Sequence, residues 1–399
     1  MTEINWKRNL YMVWLSQLLA AAGFSLCMPF IPLFMREVLK VEESVRGVYV
    51  SAFAFSGLTS LCIATALWGM LADKFGRKLM LLRAGYGAAI LYPLLCFAPN
   101  IYALIAIRFL CSFFTGTMNP ARTLLLTTSP EEKHGYVLGV ISTASTSGHM
   151  LGYFCGGIIV ELFGYRAAFL TCGVLYIISA LLVQFFVKEN FVKPQITEKK
   201  QKKPFSLHDL ASPVVAGLMA IFLLLGMSIR ITQPFAAMLV EVINGEKNAA
   251  FWTGITSIFT AAGGLAAGCV FGFFSEKFSN LKLLLFSLSI SILTSFLLPF
   301  SANIYVLVTI RFISSLSGAF IQPLLLMWLS RCTKPELKGS YLGWSGSIHQ
   351  AGGIVSALLS GTVVWQFGVR GVYITGAILM CLMFPVILRT AKKDPEKAN

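Results

Sequence analysis

Gly69-Met70-Leu71-Ala72-Asp73-Lys74-Phe75-Gly76-Arg77-Lys78 lies between two long apolar runs, and a degenerate copy of it returns 203 positions later. In the copy, Gly272, Glu276, Lys277 and Phe278 stand where the first stretch has Gly69, Asp73, Lys74 and Phe75. A charged, glycine-containing turn that recurs at about half the chain length marks an internal duplication. The surrounding 399-residue chain is 56% hydrophobic and only 12% charged. Soluble domains carry roughly 25% charged residues.

Crossing a bilayer takes about 20 consecutive apolar residues. Twelve runs reach that length: 9–35, 47–72, 79–98, 101–128, 136–162, 166–187, 213–240, 249–274, 281–300, 303–330, 340–366 and 371–389. The fold class expected is therefore an all-α integral membrane protein with twelve transmembrane helices. The duplication extends through it. Asn100-Ile101-Tyr102 matches Asn303-Ile304-Tyr305, and Arg108-Phe109 matches Arg311-Phe312. At an offset of 204, Gly135, Leu138, Gly139, Gly148 and Gly157 match Gly339, Leu342, Gly343, Gly352 and Gly361. Phe163-Gly164 and Arg166 match Phe367-Gly368 and Arg370 at the same offset. Six runs separate each pair, and an even number preserves orientation. The halves are expected to be parallel six-helix repeats, residues 1–187 and 209–399, joined by a linker at 188–208. Within the linker, Glu198-Lys199-Lys200-Gln201-Lys202-Lys203 reads as a solvated segment.

A net charge of +15 invites a nucleic-acid reading, but the charge is distributed by topology. Lys and Arg concentrate in alternate loops: Lys7 and Arg8; Lys74, Arg77 and Lys78; Lys188 to Lys203; Lys277 and Lys282; Arg331, Lys334 and Lys338; and Lys392, Lys393 and Lys397. Basic loops remain cytoplasmic, so both termini and the linker are expected on the cytoplasmic side of a cell (inner) membrane, with lipid rather than nucleic acid as partner. The first run exceeds a signal-peptide core and is expected to remain as the first span. Nine cysteines form no CxxC pair. Neither disulfides, a metal site nor a cofactor is expected.

Three motifs make the chain resemble the major facilitator superfamily over nearly its whole length, and most closely the bacterial multidrug efflux transporters of the drug–proton antiporter group. Gly69, Leu71, Ala72, Asp73, Gly76, Arg77 and Lys78 match the family's loop between spans 2 and 3. Arg108 followed by Gly116 is similar to its span-4 arginine motif, and Gly139, Gly148, Gly152, Gly156 and Gly157 to its span-5 motif. Tyr153 and Ser112 stand where the family usually has Pro and Gly. The resemblance implies a secondary active transporter that works by alternating access, exporting small molecules by proton antiport as a monomer. It also implies a cytoplasmic gating latch at Gly69, Asp73, Gly76, Arg77, Lys78 and, in the second copy, Glu276. Physically, Gly69 would permit close backbone approach, and Asp73 would cap a helix N-terminus and pair with Arg77. The span-5 glycines are spaced by about whole helical turns and form a smooth stripe for a neighbouring helix.

Charges inside spans are costly and mark candidate sites. Arg108 and Arg311 lie roughly 10–15 Å from the outer ends of spans 4 and 10 at 1.5 Å per residue. Arg230 lies in the outer half of span 7, three residues before Gln233. By analogy with the family's cavity-lining spans, Gln17, Arg108, Asn119, Arg230, Gln233, Arg311 and Gln322 are candidate substrate-binding groups. Arg230 has no symmetric partner, since Ser25 occupies the matching place. No carboxylate lies near the middle of a span, Glu161 and Glu241 coming nearest. His149 and His349, in spans 5 and 11, are the proton-coupling candidates. Buried arginines without buried acids also suit an anionic cargo, such as a carboxylate siderophore or another organic anion, because Arg grips carboxylates bidentately. A non-transporting receptor on the same fold is a third reading. No P-loop, metal cluster or nucleophile–base constellation is present, so the chain reads neither as an enzyme nor as an ATP-driven pump.

Overall fold

The structure, a computed structural model, describes residues 5–190, 212–333 and 337–393, except the side chain of Asp73. The greater part of the expected linker, from residue 191 on, lies outside the described residues.

Helices account for nearly every described residue. They are α1 (Trp6–Cys27), α2 (Ile31–Glu37), α3 (Glu43–Phe75), α4 (Arg77–Leu94), α5 (Ile101–Phe114), α6 (Met118–Thr128), α7 (His134–Phe186), α8 (Pro213–Thr232), α9 (Ala236–Asn244), α10 (Ala249–Lys277), α11 (Asn280–Leu297), α12 (Ile304–Cys332) and α13 (Lys338–Lys393). Among the described residues, ten continuous or nearly continuous helical stretches are long and apolar enough to cross a membrane. Two of these run for 56 residues, and each contains one glycine at positive φ, Gly164 (φ 78°) and Gly368 (φ 66°). Only glycine enters this region without strain, so each long stretch holds two spans, consistent with a twelve-span chain.

The sequence repeats are read out as local structure. Asn100 and Asn303 are both N-caps with nearly the same backbone angles, and their side chains accept from the N–H of Ala103 and Val306 at 2.9 and 3.0 Å. The matched Phe-Gly pairs form the two hinges at Gly164 and Gly368.

One repeat is broken differently in its two copies. Pro120 and Pro323 are equivalent, and each deprives the carbonyl four residues earlier, at Gly116 or Ala319, of its helical N–H. Gly116 adopts φ 100°, and the helix stops at Phe114 and restarts at Met118. Ala319 cannot adopt that angle cheaply, and α12 runs on through Pro323. The carbonyl of Phe113 at the end of α5 accepts instead from the indole of Trp68 at 2.7 Å.

The chain divides into two units. One comprises residues 1–42, 53–199 and 248–258; the other comprises 43–52, 200–247 and 259–399. In the first unit, α1 packs along α7 over a core containing Leu10, Val13, Leu124, Val137 and Ile141. In the second, α8 packs along α13 over Leu218, Phe222, Leu324, Trp328 and Ile387. Small residues allow both approaches. Cβ atoms added to Gly148 and Gly152 would collide with the backbone of α1, and one on Gly156 would lie 2.9 Å from the Leu26 carbonyl. Gly352 and Gly226 play the same part between α13 and α8.

Candidate functional site

The turn between α3 and α4 is closed from a distant part of the chain. Gly76, at φ 94°, ends α3 and begins α4 without a side-chain cap. The carboxylate of Glu189, just beyond α7, accepts from the backbone N–H groups of Arg77 (3.0 Å) and Lys78 (2.8 Å). It thus satisfies two of the orphan donors at the α4 N-terminus and complements the helix dipole. The Lys78 ammonium donates to the Gln184 carbonyl at 2.9 Å. Asn9 on α1 exchanges two hydrogen bonds with the Lys188 backbone, at 2.8 and 3.1 Å, so the chain leaving α7 is held on both sides. Asp73 carries the capping role in the sequence reading; Glu189 performs it at α4, and the side chain of Asp73 is outside the described residues. A Cβ on Gly69 would meet open space within 4 Å, so no close backbone approach explains it; Gly139 is likewise open. Gly157 turns from α1 toward the first residues of α10, its added Cβ falling 3.1 Å from the Ala250 carbonyl. Glu276 is exposed.

Inside the first unit, His149 on α7 meets Ser25 on α1 through Nδ1 and Oγ, 2.6 Å apart. The rings of Phe24 and Tyr153 lie 6.1 Å from the imidazole. Gln17, 1% exposed, accepts through Oε1 from the Thr117 hydroxyl at 2.9 Å, at the break between α5 and α6. Its Nε2 has no partner among the described residues. Asn119, on the first turn of α6, is exposed. Arg108 meets no acid: Nη1 lies 3.3 Å from the Met28 sulfur, and the guanidinium sits 5.1 Å from the Phe53 ring. It packs against Gly57, whose missing side chain makes its room.

In the second unit, Arg230 on α8 donates to Gln233 Oε1 at 3.2 Å and lays its stem over Gly353 of α13. His349 of α13 lies within electrostatic reach of Arg230. Arg311 donates to the Tyr373 hydroxyl at 2.5 Å and stands 5.1 Å from its ring. The structure therefore brings Arg230, Gln233 and His349 together, and it brings His149 to Ser25 and Gln17 to Thr117. Gln322 is exposed on α12, with no contact that ties it to this group. Among the described residues, no group of three His, Cys, Asp or Glu is placed to hold a metal.

Sequence reasoning passed over Arg46 and underrated Glu241. Glu241, on α9, is the one buried carboxylate among the described side chains, and it pairs with Arg46 of α3 at 2.8 Å. Their separation in sequence left no local signal of the pairing.

Comparison with known proteins agrees with this architecture. The family model described as Major Facilitator Superfamily matches residues 13–268 and 218–399. The multi-drug resistance efflux pump PmrA of Streptococcus pneumoniae is 31% identical over 402 residues, covering 99% of this chain and all of the relative. The multidrug resistance protein MdtG of Proteus mirabilis is 30% identical over 383 residues, covering 94% of each. Among solved structures, the nucleoside transporter NupG superposes with a TM-score of 0.76 at 16% identity, covering 96% of this chain and 99% of that one. The human organic anion transporter MFSD10 superposes at 0.66 and 17%, with coverage of 96% and 99%. At such identities these structures show the fold alone. The chain belongs to the Major Facilitator Superfamily: it is a multi-pass membrane transporter of small molecules and not an enzyme.

Proposed function

We propose that the chain is a secondary active exporter of amphiphilic small molecules, driven by proton antiport and working by alternating access between halves 1–187 and 209–399. The observation that carries this reading is the full-length similarity, at about 30% identity, to two relatives named as multidrug resistance proteins. The alternation of basic loops supports a cell (inner) membrane protein with both termini and the 188–208 linker cytoplasmic. It is taken to act as a monomer surrounded by lipid. His149 and His349 are the proton-coupling candidates of this reading. The turn at Gly69, Asp73, Gly76, Arg77 and Lys78, with Glu189 now added and Glu276 in the second copy, is proposed as the cytoplasmic latch. The glycine stripe of α7 supplies the close packing that lets α1 and α7 act as one body.

A second reading rests on a specific observation. Arg108, Arg230 and Arg311 find neutral partners, Met28 and Phe53, Gln233, and Tyr373. Three guanidiniums in membrane spans, unneutralised by these partners, suit an anionic cargo. Gln17, Asn119, Gln233 and Gln322 would add neutral hydrogen-bonding groups to either cargo.

Proteoliposomes of the purified protein test the two readings. Ethidium, a lipophilic cation, and citrate, a polycarboxylate, are offered with and without an imposed pH gradient, to the wild type and to Arg230→Gln. Gradient-driven ethidium flux indifferent to Arg230 establishes multidrug export. Citrate flux abolished by the substitution assigns an anion exporter. Absence of both overturns the pair.

A further inference from the structure

Thr117 occupies the N-cap position of α6, where a threonine hydroxyl ordinarily accepts from the backbone of the first turn. Here it does not. The hydroxyl donates instead to Gln17 Oε1 on α1 at 2.9 Å, and α6 has no side-chain cap. Pro120 has no N–H, and the Ala121 N–H bonds the Thr117 carbonyl. The N–H groups of Met118 and Asn119 are therefore left without a partner among the described residues. Gln17 is half-used as well. It is 1% exposed, and its Nε2 has no partner among the described residues. A buried donor without an acceptor costs free energy. Three donors thus meet at the break in span 4, and no acceptor of the chain answers them.

The start of α4 shows what such a place accepts. It too follows a glycine at positive φ and has no cap of its own, and the N–H groups of its first two residues are taken by the Glu189 carboxylate. The start of α6, a helix of 11 residues, offers the same two N–H groups. Packed against α6 are α1, α4 and α7, and Glu161 of α7 is their one acid. Gly148 of α7 lies against Leu18 of α1, at the level of Gln17, and Glu161 is 13 residues further along, roughly 20 Å at 1.5 Å per residue. One side of the break is open, since Gly116 and Asn119 are exposed. Arg122, also exposed, shares a helix face with Asn119 and adds positive charge to the helix dipole.

The equivalent place in the second half is apolar. Where Pro120 matches Pro323, Thr117 matches Phe320. At the offset that sets Ser25 against Arg230, Gln17 matches Phe222. Both phenylalanines are core residues, and α12 is unbroken there. Of the two equivalent spans, only the fourth carries the polar break.

We propose that the break in span 4 binds a carboxylate group of the cargo, held by the N–H groups of Met118 and Asn119 and by Gln17 Nε2. The ligand's carboxylate does at α6 what Glu189 does at α4. Its charge is met by a helix N-terminus and Arg122 rather than by an acid-free guanidinium cluster. The site rests on the anionic-cargo reading and contains none of Arg108, Arg230 and Arg311.

The test is equilibrium dialysis of the purified full-length protein in detergent, with citrate, benzoate and the uncharged trimethyl ester of citrate as probes. The wild type is expected to bind citrate and not the ester. Gln17→Met keeps the size of the side chain and removes the donor. It is expected to weaken citrate by about 10- to 100-fold, the worth of a hydrogen bond to a charged group. Gln17→Glu installs a carboxylate at the break. It is expected to lose citrate binding without a lower thermal midpoint, because the new acid takes the ligand's place. Should Gln17→Met not survive purification, Gln17→Glu decides alone. Citrate binding unchanged in the Gln17 variants but lost in Arg230→Gln overturns this site and leaves the anionic-cargo reading standing. Equal binding of citrate and its ester overturns the carboxylate assignment. A wild type that binds neither citrate nor benzoate overturns the anionic-cargo reading and the site with it.

Discussion

The turn after α3 and the turn after α10 occupy equivalent places in the repeat but close by different chemistry. Gly76 begins α4 at positive φ with no side chain to offer, and the cap is supplied by Glu189, 112 residues along the chain. Ser279 begins α11 in an extended conformation and caps it locally, its hydroxyl accepting from Lys282 N–H at 3.4 Å. The first turn thus depends on tertiary structure and the second on its own residue. The same contrast recurs elsewhere. Gly116 lets one Pro-containing span break where Ala319 keeps its counterpart whole. On the facing helices the sizes are exchanged: small Ser25 meets large His149 in the first unit, and large Arg230 meets small Gly353 in the second. In each unit a small residue on one helix faces a large polar one on the other, with the large residue on α7 in the first unit and on α8 in the second.

Exchanging that chemistry gives the largest expected effect. Arg230→Ser with Gly353→His rebuilds in the second unit what the first contains. If the cargo is anionic, flux of citrate into proteoliposomes should fall roughly 10- to 100-fold, the worth of a charged hydrogen bond. Unchanged flux would show that the cationic side of the comparison is irrelevant to transport. Next in size, Gly116→Ala forces a Cβ into the left-handed region and should cost about 1–3 kcal/mol in detergent unfolding measurements. The mirror change, Ala319→Gly, should cost about 1 kcal/mol through backbone entropy alone. If the two cost the same, the break does not depend on glycine.

Smaller still are the caps. Glu189→Gln should cost about 1–2 kcal/mol, because a charged acceptor of two N–H groups is weakened. Ser279→Ala should cost about 0.5 kcal/mol, at the low end for a cap, given its long bond. Thermal unfolding of both variants reads the difference, and a reversed order would mean that the α3–α4 turn is held by something other than Glu189.

Much of the fold was legible in the chain because its signals are local and repeated. Apolar length marked the spans, and the matched Asn residues and Phe-Gly pairs marked the duplication, while their roles as helix starts and hinges emerged only in the structure. The candidate site was legible in part. Arg108, Arg230, Arg311, His149 and His349 are conspicuous as polar groups in apolar runs, but their partners are not. Met28 and Phe53 gave no hint that they would receive a guanidinium. Asp73 drew the capping role because it sits beside the turn, while Glu189 was hidden at the start of a basic stretch. The pairing of Gln17 with Thr117 joins residues 100 positions apart.

What this sequence determined alone is the membrane fold, the duplication and the alternation of basic and less basic loops, since hydropathy and loop charge are read from each segment separately. The tertiary structure decided which charges are neutralised, which helix ends are capped from afar and which acid is buried. Those outcomes depend on distances between segments that no local pattern encodes. Glu241 shows the difference: the sequence places it at a span end, with Glu161 among the acids nearest to a span's middle, and only the structure shows it buried as a partner of Arg46.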